Sequence, residues 1–115
     1  MLGRVVLSKA ERSKINKQNR EKGYRAERDS VLLLRGLGYW VMRLRSRQQR
    51  GEMAPVDGYY WDPTRKVFGF FTTKVRKELI TKTEIQLMKF LGKKWECEIL
   101  FFWREKGMKF EVISP

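Results

Sequence analysis

Pro55-Val56-Asp57-Gly58-Tyr59-Tyr60-Trp61-Asp62-Pro63-Thr64-Arg65-Lys66-Val67-Phe68-Gly69-Phe70-Phe71-Thr72-Thr73-Lys74 is the stretch that decides the fold. Aromatic and β-branched residues lie on either side of Asp62-Pro63-Thr64-Arg65, where proline takes the position a type I turn favours. The pattern predicts a hairpin. One strand opens at Pro55-Val56-Asp57 and runs through Tyr59 and Trp61, and the return strand covers Lys66 to Val75. Residues two apart on a strand share a face, so Thr72 and Lys74 point the same way and Asp57 can face them across the pair.

Upstream, Tyr39 to Leu44 reads as a strand, and Arg45 to Gly51 has no periodicity and reads as a flexible basic loop. Before it, Ala26, Val31, Leu33, Leu34 and Leu37, with the small Ser30, recur at helical spacing from Tyr24 to Leu37. Gly23 precedes that helix and Gly38 supplies a left-handed stop. Glu27 falls at the edge of the inward face, where a carboxylate needs a partner or a task. Downstream, Ile85, Met88 and Leu91 mark one face of a helix over Ile80 to Gly92. Strands at Glu98 to Trp103 and Met108 to Ile113 follow, around a turn at Glu105-Lys106-Gly107. This order predicts an α/β (α+β) domain, a mixed central sheet of about five strands flanked by helices. A chain of 115 residues, 42% hydrophobic, suits one core. The expected organisation is a mobile or marginally helical basic N-terminal arm over 1–22 and a folded domain over 23–115.

Lys and Arg number 26 against 13 Asp and Glu, for a net charge of +13, far beyond what solubility requires. A polyanion is the expected partner. Lys14, Lys17, Arg20, Lys22 and Arg25 concentrate charge in and just after the arm. Arg43, Arg45, Arg47 and Arg50 do so around the first strand and its loop, and Arg76 and Lys77 after the return strand. Charge alone leaves DNA and RNA both open. Histidine is absent, which removes Ser-His and Cys-His nucleophiles and ordinary zinc sites. Any catalysis falls to carboxylates and a lysine. The single cysteine, Cys97, fits a reducing compartment. The apolar runs Val31 to Leu34 and Ile99 to Trp103 are too short to span a bilayer, and Val5-Val6-Leu7 is no signal-peptide core. A cytoplasmic protein, associated with nucleic acid and with no membrane partner, is therefore expected.

Glu27, Asp57 and Lys74, taken with these elements, are spaced like a metal-nuclease site. The pattern of a helix-borne acid, Pro-x-Asp opening a strand and x-x-Lys on the next resembles the PD-(D/E)xK nuclease superfamily. Within it, the chain is most similar to archaeal Holliday-junction resolvases. Lys22-Gly23-x-x-x-Glu27-Arg28, Gly38-Tyr39-x-Val41 before Arg43, the serine of the basic loop at Ser46, and Glu84-x-Gln86 opening the second helix carry the likeness over roughly residues 22 to 113. The resemblance implies a restriction-endonuclease-like fold. It also implies a homodimeric, metal-dependent endodeoxyribonuclease acting on branched or four-way DNA in recombination and repair. Asp57, with Glu27, would hold Mg or Mn; Lys74 would stabilise the phosphate or orient water, and Ser46 would touch a phosphate.

One position departs from that pattern. Thr72 stands where the family has Asp or Glu, and a neutral hydroxyl is a poor replacement for a carboxylate ligand. Two readings follow. Either another acid assists, with Glu52, Asp62, Glu78 and Glu84 as candidates beside Glu27, or the chain is an inactive, structure-selective DNA-binding protein on the same fold. Bland roles stand beside each residue: an ion pair for Glu27, a turn for Asp57-Gly58, a surface cation for Lys74 and a solvated hydroxyl for Ser46.

Overall fold

The computed structural model describes residues 8–45 and 47–113. Its strands are β1 (Trp40–Arg43), β2 (Gly58–Asp62), β3 (Val67–Lys74), β4 (Glu98–Arg104) and β5 (Met108–Ile113). They form one sheet in the order β1-β2-β3-β4-β5. All neighbours are antiparallel except β3 and β4, which run parallel. A parallel pair needs a crossover, and α2 (Lys82–Trp95) supplies it. The long helix α1 (Lys9–Gly36) precedes the sheet.

Alternation along the strands sends side chains to two cores, one on each face of the sheet. On one face Val31 and Leu34 of α1 pack with Val41, Tyr60, Phe71, Leu100 and Phe102. On the other, Met88 and Leu91 of α2 pack with Val56, Phe70, Ile99 and Phe101. The expected mixed five-stranded α+β domain is thus present, as a sheet between helices.

Three local expectations change. The first helix does not begin near Gly23 but at Lys9, with Ser8 as its cap, and the predicted arm continues it as helix from Lys9 onward. Lys, Arg, Glu, Gln and Ala dominate that segment, and these residues lose little on entering a helix. Ser8 accepts from the Glu11 amide, a capping arrangement that offsets the roughly 1 kcal/mol cost of Gly23.

Gly92 does not end the second helix. It is buried inside it, because a Cβ there would lie 2.8 Å from Ile99 Cγ1. The helix ends instead at Glu96, in the left-handed conformation (φ 49°). Its start is also later than expected, at Lys82, capped by Thr81 accepting from the Glu84 amide. The loop after β1 is not wholly irregular, since Gly51–Met53 forms a 3₁₀ turn.

All the residues from Ser8 to Lys22 are exposed, so the first half of α1 projects from the body. At 1.5 Å per residue the whole helix is about 42 Å long. The molecule measures 56 × 28 × 28 Å. Its radius of gyration, 16.3 Å, exceeds the ~13 Å of a compact chain of this length.

Candidate functional site

Strand direction gathers the polar residues at one end of the sheet. The carboxyl ends of the parallel pair β3 and β4 lie there, where Lys74 pairs with Trp103. The end of β1 and the start of β2 meet at the same end, since Arg43 opposes Gly58 and Gly58 opposes Phe71. Ligands of open α/β sheets bind beyond strand carboxyl ends, because backbone turns and helix termini converge there.

Asp57 sits at the mouth of β2, tied in by its own backbone: its N–H donates to Phe71 O (2.9 Å) and its carbonyl accepts from Leu44 N (2.8 Å). Its carboxylate receives three donors. Gln49 Nε2 donates to Oδ1 at 3.1 Å, while Thr72 Oγ1 (3.2 Å) and the Thr73 amide (2.6 Å) donate to Oδ2. Gln49 Nε2 is held in place by a further bond to Val56 O at 2.7 Å. Burial is the largest influence on Asp57 and drives its pKa above the ordinary value. The Thr73 amide opposes this, the charge of Glu27 adds to it, and the hydroxyl and amide donors oppose it again.

Thr72 is therefore where the hairpin register predicts, buried and facing Asp57 on the α2 side of the sheet. The neighbouring Thr73 points to the opposite face. Its hydroxyl donates to Ser30 Oγ (2.9 Å), which in turn donates to Ala26 O (3.0 Å). This chain of hydroxyls fastens α1 to β3 and sets Glu27 beside the site.

Glu27 is close enough to act on Asp57 through its charge. It is already paired, however, with Arg43 Nε at 3.1 Å. Lys74 lies on the Thr72 face as expected, but its ammonium meets Glu84 Oε2 at 2.7 Å. The expected trio is thus divided among three local partnerships, Glu27 with Arg43, Asp57 with its donors, and Lys74 with Glu84. Of the other acids considered as helpers, only Glu84 reaches a residue of the trio. Glu52 pairs with Lys94, and Asp62 with Arg65 at the opposite end of the sheet. Glu78 forms no ion pair among the described residues.

A divalent metal prefers several hard oxygen ligands. Among the described residues no group of three metal-ligating side chains is assembled. Asp57 also directs its lone pairs at hydrogen-bond donors rather than into an open coordination sphere. The donor set as arranged does not fit Mg or Mn.

The cations are better disposed than the acids. Lys14, Lys17, Arg20, Lys22 and Arg25 are exposed along the projecting half of α1, and Arg45, Arg47 and Arg50 are exposed in the loop after β1. Ser46 lies outside the described residues. Arg43, expected among the DNA contacts, is exposed and donates to Glu27 Oε1 at 3.1 Å. Lys77 is exposed and its Nζ stands 5.0 Å from the centre of the Trp103 ring, a cation–π distance. Gln49 and Arg104 are not singled out by sequence, and Ser30 reads there only as a small position on the helix face. Gln49 reads there only as part of a polar loop, and no spacing rule links it to Asp57.

No family model matches this chain, and no curated protein is similar to it in sequence. Among the described residues no helix is long and apolar enough to cross a membrane.

Proposed function

We propose that the protein binds branched DNA, such as a four-way junction, through its basic sheet end and projecting helix, and that it does so without cutting. The hydrogen-bonded Asp57 carboxylate carries this reading. With Thr72 in place of an acid, both oxygens of Asp57 are engaged by donors from Gln49, Thr72 and Thr73. The net charge of +13 supplies the affinity, through release of counterions from phosphates.

Supporting the link to resolvases are the order of the motifs and the position of Asp57, Thr72 and Lys74 at one end of a mixed sheet, the features a restriction-endonuclease-like fold would share. The same reading carries a symmetric pair of chains and an intracellular place of action on DNA. Trp40, Met42 and Trp61, exposed on the sheet face beside α2, give a second copy an apolar surface to close upon.

The test is binding and cleavage of a synthetic four-way junction across a salt series, with and without Mg or Mn. The expected result is affinity that falls steeply with salt, is indifferent to metal, and leaves the junction intact. Thr72→Glu is expected to introduce metal binding where the wild type has little. Binding of structured RNA in preference to the junction at matched salt would displace the reading.

A second reading, a metal-dependent endonuclease, is favoured by one observation: Glu27 acts on Asp57 as a like charge. A divalent cation between the two would relieve that repulsion. Cleavage by the wild type that Asp57→Ala abolishes would establish this second reading and overturn the first.

A further inference from the structure

A second concavity lies away from Asp57. A cleft of about 790 Å³ runs between the projecting half of α1 and the carboxyl ends of β3 and β4. Its walls carry Lys22, Arg25 and Asn19 from α1 on one side and Arg76 and Arg104 from the sheet end on the other. Among the described residues no acidic side chain lines it. The size is in the range, roughly 300–1,000 Å³, of clefts that take ligands rather than single ions.

Four like charges brought together by segments distant in sequence repel one another, and the repulsion is relieved by an anion. Among the described residues Lys22, Arg25 and Arg76 form no ion pair. Arg104 is the exception, since its guanidinium is held by Asp29 of α1. That bond orients Arg104 and ties α1 to the end of β4, so it fixes the spacing of the two walls. The planar, multi-donor guanidinium suits phosphate oxygens, and three of the four cations are arginines.

We propose that this cleft seats one strand of a DNA backbone, with Lys22 and Arg25 on one flank and Arg76 and Arg104 on the other, as an anchor distinct from the Asp57 cluster. The inference rests on the reading of the chain as DNA-binding and names where the backbone is gripped. Val75 and Leu79 also line the cleft and would give the sugar edge an apolar contact. The grip is indifferent to base sequence, because it uses no base edge.

The experiment compares two triple variants of the full chain by anisotropy of a labelled linear duplex over a KCl series. Lys22→Ala/Arg25→Ala/Arg76→Ala removes the unpaired cations of the cleft. Arg35→Ala/Lys89→Ala/Lys93→Ala removes the same charge from exposed positions at the far end of α1 and on α2. Circular dichroism melts verify that each variant remains folded.

The cleft triple is expected to weaken binding about tenfold or more at low salt and to flatten the log–log salt slope by about 2 to 3 units, ~0.9 per lost phosphate contact. The control triple is expected to leave the slope unchanged. Equal slopes in the two triples would overturn the cleft assignment while leaving DNA binding in place. A wild type that binds neither duplex nor junction at low salt would overturn the DNA-binding reading itself. A matched RNA duplex that displaces the DNA at lower concentration would make the occupant RNA and overturn the proposal.

Discussion

At the scale of single residues, two carboxylates pull stability in opposite directions with pH. Asp57 has its pKa raised above 3.8, chiefly by burial. The folded state therefore holds this proton more tightly than the unfolded chain. Its contribution is fully present below 3.8 and is lost as pH rises through the folded pKa. Glu98 is the reverse. Hydrogen bonds from Arg65 lower its pKa below 4.5, so its contribution is present above 4.5 and is lost as pH falls through the folded pKa. Thermal melts across pH 3 to 8 are expected to show Asp57→Asn gaining on the wild type as pH rises, and Glu98→Gln gaining on it as pH falls. A wild-type profile matched by both variants would contradict the assignment.

Glu98 also serves the buried Tyr60, whose hydroxyl donates to it at 2.6 Å. Burial, followed by this carboxylate, pushes the Tyr60 phenol well above its ordinary pKa. Gly69 makes room for the ring: a Cβ there would lie 2.3 Å from Tyr60 Cζ. Gly69→Ala is expected to cost at least ~1–3 kcal/mol in chemical denaturation, because neither the ring nor the central strand can yield freely. Of this end of the sheet the sequence shows the turn at Asp62-Pro63 and nothing of Arg65 reaching Glu98. A contact between residues 33 apart is set by the crossover through α2, not by local pattern.

At the scale of elements, the hairpin is the most legible part, because alternation and turn chemistry agree over β2 and β3. Thr72 facing Asp57 follows from that register alone. Helix ends are less legible. Thr81-x-x-Glu84 is a capping signal that apolar periodicity does not report, and Gly92 resembles a stop until Ile99 is seen packing against it. Thr81→Ala is expected to destabilise the protein by about 1 kcal/mol in urea titration, and Thr81→Ser to restore most of it. The projecting half of α1 reads from sequence only as marginally helical, for a different reason. Its residues bury nothing, so no periodic face marks it, and helix propensity together with the Ser8 cap decides its form.

At the scale of the whole molecule, the folding core and the charge are carried by separate parts of one helix. The buried positions of α1 are Ala26, Ser30, Val31 and Leu34, all beyond Arg25. Removing residues 1–22 is therefore expected to shift the melting temperature little, yet to reduce duplex affinity and its salt slope together, as read by anisotropy. Loss of the cooperative melt would show instead that the extension supports the core. The basic composition carries the expectation of a polyanion partner, but it does not show the cleft. Arg104 enters it only because β4 runs parallel to β3 and ends at the same place.

The seam between those two parts of α1 has a biochemical consequence. Trypsin cuts after lysine and arginine where the backbone can open locally, and a helical stretch with every residue exposed opens readily. Brief digestion is expected to pare the chain back in steps as far as Arg25 and then to stall, since Ala26 begins the packed segment. Bound DNA would shield those same bonds. The ladder of fragments, read by mass spectrometry with and without a duplex, would then trace how far along the helix the nucleic acid lies.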